Sequence, residues 1–258
     1  MRFSAALFIA ALMCAAPAFA QTPQQRADLA RAETVGRELY DHDRAAWLAT
    51  DAMFEELGGP QNAQGQLRGW VTEREGETVI VTFIAEGRDE SLYRAVYRGG
   101  ALQEQGFSRQ PLTGRQQRLY NARQAALQAQ VGFCSQAYNS ATLPRPDSDI
   151  IDVYLMPGTT DANEVIVGGY HRVAIDADGS IVETQSFARS CLTLRRDDPN
   201  MAGVQPTALF FTHIQSPLPT ETHVFISLTQ NLPLYVGTES GVWEVNGARI
   251  RFVQERSP

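Results

Sequence analysis

The chain contains no lysine: all 22 of its basic residues are arginines, set against 29 acidic ones, for a formal net charge of -7. The arginines are scattered. Their longest run, Arg195-Arg196, is followed at once by two aspartates. Without a basic stripe to follow a phosphate backbone or anionic headgroups, nucleic acid and charged lipid are not expected partners. Internal repeats, low-complexity tracts and heptad arrays are also missing, which excludes solenoid and coiled-coil architectures. After the first twenty residues no apolar run approaches the roughly 20 residues a membrane helix needs, so the rest of the chain is expected to be soluble. Cysteine is scarce, at three residues, and histidine numbers only four.

What is present begins with a leader. Arg2 supplies a positive start, Phe3 to Ala16 is apolar apart from Ser4, and Pro17 breaks any helix. Ala18-Phe19-Ala20 is the small-x-small pattern of a cleavage site, so residues 1–20 read as a signal peptide cut after Ala20. Cys14 follows Leu12-Met13, where a lipobox wants small residues, which speaks against lipidation. The expected destination is the periplasm of a Gram-negative bacterium or the exterior. Cys134 and Cys191 remain after cleavage, and an oxidising compartment favours one disulfide between them. That bridge closes a loop of about 58 residues and contributes about 4 kcal/mol in the chain-entropy model. No nucleophile motif surrounds either cysteine.

The remaining chain, about 238 residues, fits one large domain or two modest ones. Apolar residues at Leu29, Ala32, Val35, Leu39, Ala46, Met53 and Leu57 predict a long helix over 24–57, stopped by Gly58-Gly59-Pro60. Within it, Asp41-His42-Asp43 reads as a solvated, charged face, because adjacent helical residues diverge and cannot share one ion. A three-stranded meander is expected at 67–72, 78–85 and 92–97, with turns at Glu75-Gly76-Glu77 and Gly87-Arg88-Asp89 and an end at Gly99-Gly100. A second helix is expected over 112–130, where Thr113 and Gln116 form a capping-box pattern. Residues 138–149, rich in Ser, Pro and Asp, read as a linker or long loop. Regions 21–133 and 134–258 are therefore distinguished, with the possibility that they form one unit.

The second region is read as strand-rich, with strands at 150–156, 165–175 and 180–187. Asp176-Ala177-Asp178-Gly179 reads as a hairpin turn; it lacks the ligand pattern of a calcium loop. A strand at 207–212, a short helix at 219–230 and strands at 234–237, 242–245 and 250–253 follow, with a tight turn at Asn246-Gly247. The fold class is α+β (or α/β). Trp47, Trp70 and Trp243 are too dispersed to form a binding face and are assigned to the core.

The sequence brings metal-capable side chains together once, in the segment from Thr212 to His223. His213 ends a strand, a proline-stiffened loop follows, and Glu221 and His223 open a helix. Two imidazoles and a carboxylate suit zinc with an open water position, although the spacing matches no standard helical motif. The same residues also fit ordinary roles: His213 satisfied at a strand end, Glu221 favoured by the helix macrodipole, His223 facing solvent. His171, after Gly168-Gly169, is a further candidate, since paired glycines in a strand mark a ligand site or a corner.

Residues 209–245 resemble the catalytic stretch of the JAB/MPN (JAMM) isopeptidase-like domains. That family has a strand ending in His-x-His-Pro, a Ser-x-x-Asp at a helix start, then a strand and a glycine-turn hairpin. Here His213 takes the first ligand position, Gln215 replaces the second His, Thr220 the Ser and His223 the Asp. Pro233 to Thr238 and Gly241 to Trp243 match the strand and hairpin, and Glu164 compares by position with the upstream catalytic Glu. The resemblance implies a JAB/MPN-like fold with degenerate ligands, and hence a domain without zinc. Three functions are carried forward. The leading one is a non-catalytic cell-envelope binding protein with an envelope protein partner and no cofactor. The others are a metal-dependent hydrolase or peptidase using His213 and His223, and a periplasmic inhibitor or immunity protein.

Overall fold

A computed structural model describes residues 21–87, 89–196 and 206–255. The leader, Cys14 and Arg88 lie outside these residues. Helix α1, Pro23–Leu57, starts where Thr22 Oγ1 accepts the Gln25 N–H and Gln25 Oε1 accepts the Thr22 N–H. Pro23 fits the first turn, where no backbone donor is needed. The helix ends at Gly58, whose φ of 75° is the left-handed cap that glycine adopts without strain. Sheet one is a meander of four antiparallel strands, β1 Leu67–Glu75, β2 Thr78–Ala85, β3 Ser91–Arg98 and β4 Ala101–Phe107, in that spatial order. The fourth strand corrects the expected three. Gly99-Gly100 makes the β3–β4 turn instead of ending the sheet, and β4 is a mostly exposed edge whose Gln-Glu-Gln carries no apolar alternation.

Helix α2, Gly114–Leu127, is shorter at both ends than expected and carries the full Thr113–Gln116 capping box. Only the second part of the stretch read as a linker, 145–149, is loop; its first part forms β5, Tyr138–Pro144, in a second antiparallel sheet with β6 Ile151–Pro157, β8 His171–Ile175 and β9 Ile181–Ser186, ordered β5-β6-β8-β9. Ser140 and Thr142 disguise β5 as loop, yet both are buried. Arg123 of α2 donates from Nε to Ser140 Oγ at 2.8 Å. The expected strand 165–175 is broken at Gly168-Gly169 into β7, Glu164–Ile166, and β8. Strand β7 pairs with β10, Thr193–Arg195, in a two-stranded ribbon.

The glycine pair exists for close approach. A Cβ on Gly168 would lie 2.1 Å from the Ser190 carbonyl, and one on Gly169 2.6 Å from Cys134 Cβ. Cys134 and Cys191 form the expected disulfide, with Cα atoms 5.3 Å apart.

The chain closes with β11 Leu209–Thr212, α3 Glu221–Gln230, β12 Leu234–Thr238, β13 Gly241–Asn246 and β14 Arg249–Gln254. Strands β11 and β12 are parallel, joined by α3 as a crossover, and β12-β13-β14 continue antiparallel. The class is α+β. Helix α1 packs along α3 closely enough that a Cβ on Gly36 would lie 2.5 Å from Val224 Cβ. Cores join residues from both sides of position 133. Val71, Leu119 and Ala126 pack with Ile151, Val153 and Val173, and Leu39 packs with Tyr154 and Val224. Among the described residues no helix is long and apolar enough to cross a membrane.

Candidate functional site

The fold brings His213 and His223 together. Their ring centroids are 4.6 Å apart at 83°, and His223 stacks on Phe211. His213 follows the C-terminal end of a parallel strand, and His223 sits in the first turn of the crossover helix, which is why so short a segment can make them meet. Both are buried, at 6% and 3% exposure, which corrects the expectation that His223 faces solvent. His223 Nδ1 accepts the Thr220 backbone N–H at 2.8 Å and so serves as the helix cap. His213 Nε2 is buried with no hydrogen-bond partner among the described residues. Burial holds His213 down at about 4, and burial reinforced by His213 holds His223 well below the ordinary histidine range. Both rings are neutral at physiological pH. They line a cavity of about 260 Å³ with Arg189 and Gln215.

Glu221 does not join them. Its carboxylate accepts the Tyr154 hydroxyl at 2.8 Å and lies 3.6 Å from Arg31. Glu164 is also elsewhere. It accepts from Thr159 at 2.9 Å, pairs with Arg195 at 3.3 Å, and lines a second cavity that shares no residue with the first. Among the described residues no set of three or more His, Cys, Asp or Glu is placed to hold a metal ion. The side chains around His213 therefore do not fit zinc: one nitrogen of His223 is committed to the backbone, a guanidinium lines the cavity, and the nearest carboxylate in sequence is turned away.

His171 has two nearby partners, Ser186 Oγ at 2.9 Å from Nδ1 and the Gly132 carbonyl at 3.1 Å from Nε2. It braces the disulfide region beside Tyr138, whose hydroxyl accepts the Cys134 N–H and donates to the Gly169 carbonyl.

The second cavity is a cleft of about 530 Å³ that opens between α1, the meander, the 157–166 stretch and the end of α3. Helix α1 contributes Asp43, Ala46, Trp47, Thr50 and Phe54, residues three and four apart that share one helical face. Trp70, Phe83, Tyr170 and Phe225 add aromatic wall, and Asp161 and Glu164 add carboxylates. Asp43 Oδ1 accepts Asn139 Nδ2 at 2.8 Å. Desolvation outweighs that bond and the nearby Arg44, pushing Asp43 up to about 6. Trp47 is 54% exposed, with the Arg44 guanidinium carbon over its ring at 4.2 Å from the centroid, which corrects its assignment to the core. Trp243 is fully buried, while Trp70 lines the cleft with its indole Nε1 buried and without a hydrogen-bond partner among the described residues.

The Asp41-His42-Asp43 face also needs correction. His42 is 2% exposed, with Nδ1 2.7 Å from Thr72 Oγ1, and Asp43 turns into the cleft. The available signal was spacing: His42 is three residues from Leu39 and four from Ala46, and Asp43 is four from Trp47. The molecule is thus a disulfide-stapled α+β protein whose cavities among the described residues include an aromatic and acidic cleft of about 530 Å³, a smaller dihistidine cavity, and a wider polar recess of about 780 Å³ lined by Arg31, Arg145 and Arg172. No family model, curated protein or solved structure matches the chain.

Proposed function

We propose that this is an exported, non-catalytic binding protein of the cell envelope, and that it holds its ligand in the 530 Å³ cleft. The observation that carries the reading is the cleft itself. Its volume falls in the range of small-molecule sites, and it combines apolar walls with a few polar groups, the usual composition of such sites. Export is supported by the leader pattern and by a disulfide, which persists in oxidising compartments. The hydrolase reading has less support, because Glu164 and the histidine pair line different cavities. The inhibitor or immunity reading rests on export and size alone, whereas the cleft favours ligand binding. The order strand, helix, strand and hairpin in 209–245 supports proposing a JAB/MPN-like relation for that segment, with a cavity that has lost its metal ligands.

Because Trp47 and Trp70 line the cleft, indole emission reports occupancy. Titration with cationic, neutral and anionic arylalkyl compounds is expected to give saturable quenching by at least one class. A Thr50→Trp variant, which fills the cleft, is expected to lose the response while melting as the wild type does. A flat response to all three classes, or an undiminished one in the filled variant, removes the cleft as the binding site.

A further inference from the structure

We infer that the cleft is built for an organic amine, with an ammonium group beside the Asp43 carboxylate and an apolar or aromatic body against Trp47. This rests on the binding reading above and names its ligand class.

The first support is placement. Asp43 and Trp47 stand four residues apart on α1, so they project from the same face, and both line the cavity. The second is charge. Among the described residues the lining includes three carboxylates, Asp43, Asp161 and Glu164, and no arginine or histidine. Asp161 and Glu164 are matched by Arg195, at 3.2 and 3.3 Å. Asp43 has no ion pair among the described residues. Asn139 supplies it one hydrogen bond, and the carboxylate remains half-buried. Withdrawing a carboxylate from water without a cation is costly, and a bound ammonium removes that cost.

The third support is the wall. Indole faces attract cations, and Trp47 already carries the Arg44 guanidinium on part of its surface while staying 54% exposed. Arg44 is therefore oriented to the ring and does not pair with Asp43. Phe54 lies seven residues beyond Trp47 and extends the same stripe, giving the ligand's apolar body a continuous surface.

The groups facing Asp43 are Arg44 on its own helix, Asn139 from β5 and Tyr170, with Asp161 and Glu164 lining the same cleft. Asp43 titrates near 6 in the free protein, so it is charged at neutral pH and protonates on mild acidification. A cation binds only the charged form, and its affinity therefore falls as pH drops through that value.

The test uses 2-phenylethylammonium, with neutral 2-phenylethanol and anionic 3-phenylpropanoate as shape-matched controls, measured by indole quenching and calorimetry. Only the ammonium is expected to bind at neutral pH. Asp43→Asn is expected to weaken it about tenfold or more, in line with loss of a charge-assisted contact. The same variant should abolish the fall in affinity on acidification, and its melting temperature shows that it folds. Equal binding of the alcohol, or unchanged affinity in Asp43→Asn, overturns the amine assignment and leaves the cleft as a binding site. Failure of all three probes overturns the amine assignment and the binding reading together.

Discussion

His42 and Asp43 are neighbours on one helix, yet burial acts on them with opposite sign. His42 is held neutral in the core, at about 3, by burial first and by Arg74 second. Its unfolded value is near 6.5, so the unfolded chain takes up the proton first. The stability present above that value is lost as pH falls from about 6.5 toward 3. Asp43 is raised to about 6 against an ordinary 3.8, so its charged form costs stability above 6, and that cost is relieved as pH falls toward 3.8. Glu38, 3.9 Å from His42 Nε2, is also raised by burial and so contributes in the same sense as Asp43; Arg74 and Asp41 face the same cluster. A His42→Gln variant keeps a partner for Thr72 but removes the titration. It is expected to be about 1 to 3 kcal/mol less stable at neutral pH, from imperfect replacement of a buried hydrogen-bonded group. Its stability should fall less steeply than the wild type's between pH 6.5 and 4, in thermal melts at matched ionic strength. Parallel curves would mean that His42 takes up its proton in the folded protein as readily as in the unfolded chain, so that burial does not hold it neutral.

At the scale of elements, the helix–helix contact between α1 and α3 depends on one missing side chain. Helix α1 is amphipathic by spacing alone, but spacing does not say that Gly36 must be glycine. In an exposed helix, Gly→Ala gains about 1 kcal/mol from propensity. Here the added Cβ would meet Val224 Cβ at 2.5 Å and the Glu221 carbonyl at 2.6 Å, both firmly held atoms. Overpacking of this kind costs about 1 to 3 kcal/mol or more, so Gly36→Ala is expected to lower stability in urea titration. Gly114→Ala, at a site with open space, should change it little. A stabilised Gly36→Ala would show that the two helices separate easily. The same element-level logic explains what the sequence revealed. The capping box at Thr113, the glycine stop at Gly58 and the hairpin glycines announce themselves because they act locally. Strands β4 and β5 did not, because one is a polar edge and the other buries Ser140 and Thr142, the first of them against Arg123 of α2. The histidine pair was legible, being local to one strand–helix junction. The cleft was not, because its lining comes from segments as far apart as Asp43 and Gln230, and no local pattern records which carboxylate lies across from which ring.

For the whole molecule the question is whether residues 21–133 and 134–258 fold separately. The chain could be divided there by composition, yet three hydrophobic cores use both sides. Leu119 and Ala126 of α2 are covered by Val153 and Val173; Leu39 of α1 by Tyr154 and Val224; Leu29 by Leu218 and Trp243. Each fully buried aliphatic side chain is worth about 1.5 to 3 kcal/mol, while a domain of this size has only about 5 to 15 kcal/mol of net stability. Separating the two regions exposes several such residues at once and exceeds that margin. The disulfide cannot compensate, since Cys134 and Cys191 both lie in the second region and constrain it alone. Two results are therefore expected. The intact chain unfolds in urea with coincident transitions by far-ultraviolet circular dichroism and by indole emission, which reports Trp47 and Trp70 in one region and Trp243 in the other. Residues 134–258 produced alone, with the bridge formed, show no cooperative transition. Two separated transitions in the intact chain, or a cooperative one in the isolated second region, would mean that the shared cores are weak contacts between independent domains, and the cleft between them would then open and close as a hinge.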